Sequence, residues 1–226
     1  LPELKPQTRI LMYWGNAAAG PRGDATKAWG KDYAGVWHMD DEGAVVKDSS
    51  SYRNHGVTGT MSPRNAGMAG VCRTFDGNWA DCGAGYNAEF EKATAYTYEV
   101  WFKDAALPAG ASRVGFFGWG QSGDWNNANY LGLAAEGKVF VRMGGSAANI
   151  LPNGGAIEAG EWHHLALCVD NAKAGTEKSK VYFDGELLAA YNWAPATQAS
   201  KAIAFRIGGW VFEGDDGHVR SGQSAG

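Results

Sequence analysis

In nine consecutive residues, AYTYEVWFK at 95–103, every second position is a large apolar residue. On an extended chain that period puts Tyr96, Tyr98, Val100 and Phe102 on one side. The pattern suits a strand with one buried face and does not suit an amphipathic helix. It recurs along the chain, in RILMYW (9–14), AGVWHM (34–39), RVGFFGW (113–119), NYLGLAA (129–135), KVFVRM (138–143), HHLALCV (163–169), KVYF (180–183), ELLAAY (186–191) and AIAFRIGG (202–209). Turn residues punctuate these runs, and only NAEFEKA (87–93) offers a turn or two of helix. The expectation is an all-β protein, a sandwich or a barrel. Two hairpins have a mechanism. Asp184-Gly185 and Glu136-Gly137 each supply the two positive-φ positions of a type I′ turn. The Gly- and Ala-rich stretch 144–160 reads as a loop.

A strand also decides how EWHHLALCVD (161–170) is read. Neighbouring side chains on a strand point to opposite faces, so His163 and His164 cannot grip one ion from the same side. His163 goes with Leu165, Leu167 and Val169, and His164 with Trp162, Ala166 and Cys168. Both histidines are expected to be structural, each with a hydrogen-bond partner. Trp101 and Trp162, in strands apolar on both faces, are expected to be largely buried.

Bulk properties exclude several classes. The formal net charge is −4, so nothing marks a nucleic-acid binder. No apolar run is long enough for a membrane-spanning helix, and no membrane insertion is expected of this segment. The first residue is leucine, as in a mature or excised piece of a larger protein. There are three cysteines, Cys72, Cys82 and Cys168, and no CxxC. Cys72 and Cys82 could bridge in an oxidising compartment, or all three could be small buried hydrophobes.

Four stretches in order carry a resemblance: GVWHMDDEGAVVKDSSSYRNHGVTGT (35–60), RTFDGNWADCG (73–83), YTYEVWFK (96–103) and GEWHHLALCVDNAKAGTEKSKVYFDGELLA (160–189). Together they resemble the laminin G-like jelly roll of the concanavalin A-like lectin/glucanase superfamily, in its bacterial form. The resemblance implies an all-β, antiparallel two-sheet β-sandwich of jelly-roll type over 31–211. RILMYWGNAAA is similar to the end of a domain of unknown function in bacterial envelope proteins. This implies an N-terminal appendage over 1–30 and further domains in a larger parent protein. The family's closing strand has no counterpart in FEGDDGHVRSGQSAG, so residues 212–226 are expected to form an unpaired tail. The strand they would cover should then be an exposed, self-associating edge.

Relatives of this kind often hold a structural calcium near an Asp-Ser-Ser turn. The resemblance therefore implies calcium at Asp48, Asn54 and Asp40, against an Asx turn in which Asp48 bonds only its own backbone. Asp124, Trp125, Asn126 and Asn127 combine an aromatic face with amides and a carboxylate, as sugar sites do. Trp79 and Asp81 form a second such set. The GxGxxG at Gly118, Gly120 and Gly123 precedes no helix and is not a nucleotide loop. Retaining glycosidases need two carboxyl groups about 5 Å apart. Glu99 has Thr97 and Trp101 as same-face neighbours, and Glu213-Gly-Asp215 lies in a Gly/Asp-rich turn. These observations point to a non-catalytic, lectin-like module, extracellular or periplasmic, whose partner is a glycan or cell-surface polysaccharide. A polysaccharide-acting hydrolase or lyase, or a ligand-free architectural domain, are the alternatives on the same fold.

Overall fold

The computed structural model describes residues 9, 15–18, 25–58, 64–75, 79–82, 93–104, 106–108, 113–121, 128–194, 203–208, 220–221 and 223–225. The strand expected at 9–14 and the helical turn at 87–93 lie outside these residues almost entirely. Apart from one helical turn at Ala25–Ala28 and a 3₁₀ turn at Gly175–Glu177, the described secondary structure is all strand.

Two sheets form the sandwich. The first runs β1 (Val45–Val46), β2 (Gly56–Thr58), β5 (Ala80–Asp81), β14 (Ile203–Ile207), β7 (Arg113–Gln121), β8 (Ala128–Ala134), β9 (Lys138–Met143) and β10 (Ser146–Ile150). β15 (Arg220–Ser221) lies parallel to β7 at Val114 and Gly115. The second sheet runs β13 (Glu186–Tyr191), β12 (Ser179–Phe183), β11 (His163–Asp170), β6 (Ala95–Lys103), β16 (Gln223–Ala225), β4 (Val71–Thr74) and β3 (Arg64–Ala66). Apart from the β15–β7 pair, every pairing is antiparallel. The expected all-β sandwich is what the chain forms.

Alternation places the core between the sheets. Tyr98, Val100 and Phe102 of β6 and Leu165, Leu167 and Val169 of β11 face Phe117, Trp119, Leu131, Leu133, Val139 and Val141. The β7–β8 register slips between Gly115 and Phe117, and such a bulge re-aims side chains, so adjacent Phe116 and Phe117 both reach the core. Both hairpins form as expected, with φ of 48° and 84° at Asp184 and Gly185, and 62° at both Glu136 and Gly137. Glycine is needed at 137 for space as well, since a Cβ there would lie 2.5 Å from the Ile157 carbonyl oxygen.

The histidine strand is tied to its hairpin by one residue. Asp184 Oδ2 lies 2.8 Å from His163 Nδ1, and Asp184 Oδ1 accepts from the His164 N–H at 2.7 Å. The Asp184 N–H donates back to the His164 carbonyl. His163 is thus the structural residue expected of it, set between Phe102 and Phe183. The His164 ring goes the other way, to the outer face.

Three expectations need correction. Trp101 is not largely buried: it is 37% exposed, because the parity that sends Val100 and Phe102 inward sends Glu99 and Trp101 outward. Trp162 precedes β11 and is only half-buried. The stretch 144–160 is not all loop, since β10 forms the sheet edge beside β9. Nor is the tail unpaired: Gln223–Ala225 insert between β6 and β4, with Ala225 opposite Trp101 and Gln223 opposite Thr74. Pairing uses backbone groups, which Gln, Ser and Ala possess like any residue; the slot is set by its two neighbours and needs no apolar pattern. The edge expected to be bare is therefore covered at Trp101–Lys103.

All three cysteines are thiols, with Cys72 and Cys82 buried and Cys168 half-buried. Burial pushes the Cys82 thiol far above its ordinary range, with Asp81 and Asp48 adding to the effect. Since the thiolate is the reactive form, a thiol reagent should label Cys168 first in the native protein and reach Cys82 only on unfolding. Rapid labelling of Cys82 in the folded state would contradict this packing.

The corrected parity yields a second expectation. Phe102→Ala should cost about 3–5 kcal/mol of stability, whereas Trp101→Ala, on the neighbouring position, should cost under about 1 kcal/mol. Urea denaturation of the two variants checks it, and similar losses in both would mean the strand faces are wrongly placed.

Candidate functional site

Strand β6 is the floor of a groove of about 810 Å³ whose lining takes in both of its faces, with inward Tyr96, Tyr98 and Val100 beside the outward residues and core Phe117 and Phe205 across from them. Thr97, Glu99 and Trp101 rise from β6, and His164 from β11, where it pairs directly with Trp101. The Trp101 and His164 rings lie 5.1 Å apart at 45°, and His164 Nε2 is 3.7 Å from a Glu99 carboxylate oxygen. This is an ion-pair distance if His164 is protonated, and too long for a hydrogen bond. The residue directly opposite Glu99 on β11 is Ala166, so His164 is the β11 side chain that reaches the carboxylate.

The wall comes from the segment before β1. Trp29, Tyr33, Trp37 and His38 line it, with Tyr52 and Asn54 behind. Trp29 meets Tyr33 edge-on at 4.9 Å and His38 at 5.8 Å. Such offset and T-shaped arrangements are the favoured ones for aromatic pairs.

What holds this wall in place is the DSSSYRNHG turn. Asp48 is 3% exposed, and both its oxygens are fully engaged. Oδ1 accepts from the N–H of Val36 at 2.7 Å and of Ser50 at 2.8 Å. Oδ2 accepts from the Ser50 hydroxyl at 2.7 Å and the Asn54 N–H at 2.8 Å. The Asp48 N–H in turn donates to His55 Nδ1. Trp37 pairs with Asp48 through an isolated antiparallel bridge. Asn54 donates its amide to the Ala34 carbonyl and accepts the Trp37 indole N–H at its own carbonyl, while the Tyr52 hydroxyl donates to the Lys31 carbonyl. Trp37 finally stacks on Phe205 of the core, 5.3 Å away and nearly parallel.

This geometry bears on calcium. A carboxylate offers about four lone-pair sites, and four donors occupy those of Asp48. Calcium wants six to eight oxygens, and Asp48 could join such a shell only by releasing backbone N–H groups that hold the wall. Asn54 donates its side-chain NH2 to the Ala34 carbonyl and accepts from Trp37 at its backbone carbonyl, and Asp40 is exposed. Among the described residues, no group of three or more His, Cys, Asp or Glu side chains is placed to hold a metal ion. As described, Asp48 makes an Asx turn extended to a twelve-residue reach.

The other sequence candidates fare differently. Asp124, Trp125, Asn126 and Asn127 lie outside the described residues. Trp79 and Asp81 do come together, but around Arg206: its guanidinium sits 4.9 Å over the Trp79 ring, and its Nε is 3.8 Å from Asp81. Arg206 and Asp81 are paired residues of β14 and β5, so this cluster also joins two strands. Sequence reading missed the groove because it assigned Trp101 to the core. The available signal was parity: a strand whose even positions are inward must show its odd ones to solvent.

The fold is an antiparallel sandwich with an aromatic-lined groove along β6. The chain is a member of the laminin G-type family described as the concanavalin A-like lectin/glucanases superfamily, whose model matches residues 76–218. No curated protein matches the sequence. Among solved structures, the chain is similar to domain 4 of AbnA, a GH43 extracellular arabinanase from Geobacillus stearothermophilus, in complex with arabinotriose. The identity is 17%, the TM-score 0.51, and the match covers 75% of this chain and 79% of that one. It is also similar to Trypanosoma rangeli sialidase, at 17% identity and TM-score 0.55, covering 84% of this chain but 29% of the sialidase. At these identities the likeness is one of fold.

The Asp48 arrangement gives a direct test. Asp48→Asn removes acceptor capacity from buried donors and should cost about 2–4 kcal/mol. A chelator should leave the thermal midpoint of the unaltered protein where it was. A midpoint that falls on chelation would show a bound cation and a different role for Asp48.

Proposed function

We propose that the protein is a non-catalytic carbohydrate-recognition module whose binding site is the groove between β6 and the Trp29–His38 segment. One observation carries this reading: an indole, Trp101, stands 37% exposed on the floor of a polar and aromatic groove, beside Glu99 and His164. A large apolar ring in such a place loses hydration free energy unless a ligand covers it. Pyranose and furanose rings have an apolar face that suits an indole, and their hydroxyls suit a carboxylate and an imidazole. The groove volume lies within the range of small-ligand sites. The sugar complex of the Geobacillus domain, of the same fold, is in keeping with this use.

The same site argues against hydrolysis. Glycoside hydrolysis needs a pair of carboxyl groups flanking the bond. The strand neighbours of Glu99 on its own face, Thr97, Trp101 and Ala166, are not acidic, and the groove's other carboxylate, Asp32, belongs to the exposed segment before β1. As a lectin-like unit the module would work outside the cytoplasm, on a bacterial envelope or secreted protein, and would tether other domains to polysaccharide.

A glycan array, followed by titration with the best ligand, tests the reading. Trp101→Ala should abolish retention at least tenfold, equivalent to about 1.4 kcal/mol, with the folded state intact. Release of reducing ends from any bound polysaccharide would replace recognition with catalysis. Unchanged binding in the variant would move the site elsewhere.

A further inference from the structure

Resting on the carbohydrate reading of this groove, we infer that its preferred ligand is a sugar carrying a free, positively charged amine, rather than a neutral or acidic one. The charged groups lining the groove are Lys31, Asp32 and Glu99, and His38, His164, Cys82 and four tyrosines are the further titratable ones. Lys31 and Asp32 are adjacent, exposed residues on the rim, and their formal charges offset each other. Glu99 is what remains, and it stands on the floor.

Its place there is specific. Glu99 and Trp101 are two apart on one strand, so their Cβ atoms share a face at about 6.6 Å. A sugar ring lying on the Trp101 indole would therefore project one ring substituent toward the Glu99 carboxylate. The contact from His164 is 3.7 Å, so the carboxylate oxygens keep hydrogen-bonding capacity for a ligand. The wall adds to the preference. Aromatic rings carry negative faces and attract cations, and Trp29, Tyr33 and Trp101 all line the same space. An ammonium substituent would gain a charge-assisted bond to Glu99 and favourable contact with ring faces. A uronate or sialate carboxylate would meet Glu99 as a like charge. An N-acetyl group leaves the sugar ring as it is, adds an acyl group and removes the charge, so Glu99→Gln is what separates charge from size.

The experiment compares three trisaccharides by calorimetric titration: one of glucosamine with free amines, its fully N-acetylated counterpart, and one of galacturonic acid. The measurement is made at a pH where the sugar amine carries its charge. The free-amine sugar should bind about tenfold more tightly than the acetylated one, and the acidic one should bind most weakly. Glu99→Gln should erase the advantage of the amine while Trp101→Ala weakens all binding. Equal affinity for amine and acetamide, or a preference for the acid, would overturn the inference and leave the carbohydrate reading standing. No heat with any sugar, together with silence on the glycan array, would overturn both.

Discussion

One buried carboxylate organises the part of this protein that is not regular sheet. Asp48 lies among groups that would otherwise be buried donors without acceptors: the backbone N–H groups of Val36, Ser50 and Asn54, and the Ser50 hydroxyl. Each such donor costs free energy when orphaned, and a charged acceptor satisfies it more strongly than a neutral one. The exchange is mutual, because a lone carboxylate could not stay buried without those four bonds. From this hub the order spreads outward. Val36 is fixed, so Trp37 reaches Phe205. Asn54 is fixed, so its amide and carbonyl catch Ala34 and the Trp37 indole. The aromatic wall of the groove is the end of that chain of constraints.

The floor depends on a different constraint, the strict alternation of β6. Tyr98, Val100 and Phe102 must face the opposite sheet, so Thr97, Glu99 and Trp101 are delivered together to the outside. A strand cannot bury one set without presenting the other, and a one-residue slip would exchange them. The register is held by eight paired positions with β11, which also bring His164 beside Trp101. Wall and floor are thus assembled independently, one by hydrogen bonds to a side chain and the other by ladder pairing, and the groove lies where they meet.

Sequence reasoning recovered what depends on local period and turn chemistry. The inward face of β6, the strands about both Asx-Gly and Glu-Gly turns, and the opposed faces of His163 and His164 were legible because period two and positive φ are written in residue types. The Asx-turn character of Asp48 was legible for the same reason, as Asp-Ser-Ser is a local signal. Its long reach was not. The bonds to Val36 and Asn54 span twelve and six residues and appear only once the chain has folded. Trp101 was misjudged because hydrophobicity alone was allowed to outvote parity, although only parity has geometric force on a strand. Nothing in Trp29 or Tyr33 announced that they would stand opposite Trp101, since tertiary placement leaves no mark in spacing.

The last strand shows the same limit from the other side. Arg220 to Ala225 carries no apolar period, and side-chain reasoning gave it no place in a sheet. Yet β16 fits between β6 and β4, where backbone groups on both sides seek partners. Its position bears on the groove. Ala225 pairs with Trp101 and Ser224 with Phe102, so the residue that turns a ring outward and the residue that turns one into the core are held by the same short strand. With β11 on its other edge, the backbone under Trp101 is clamped from both sides. A binding ring on a doubly paired strand loses little further freedom when a ligand covers it, and this preorganisation is worth affinity in its own right. An edge strand or a loop could display the same tryptophan, but it would have to be ordered at the moment of binding.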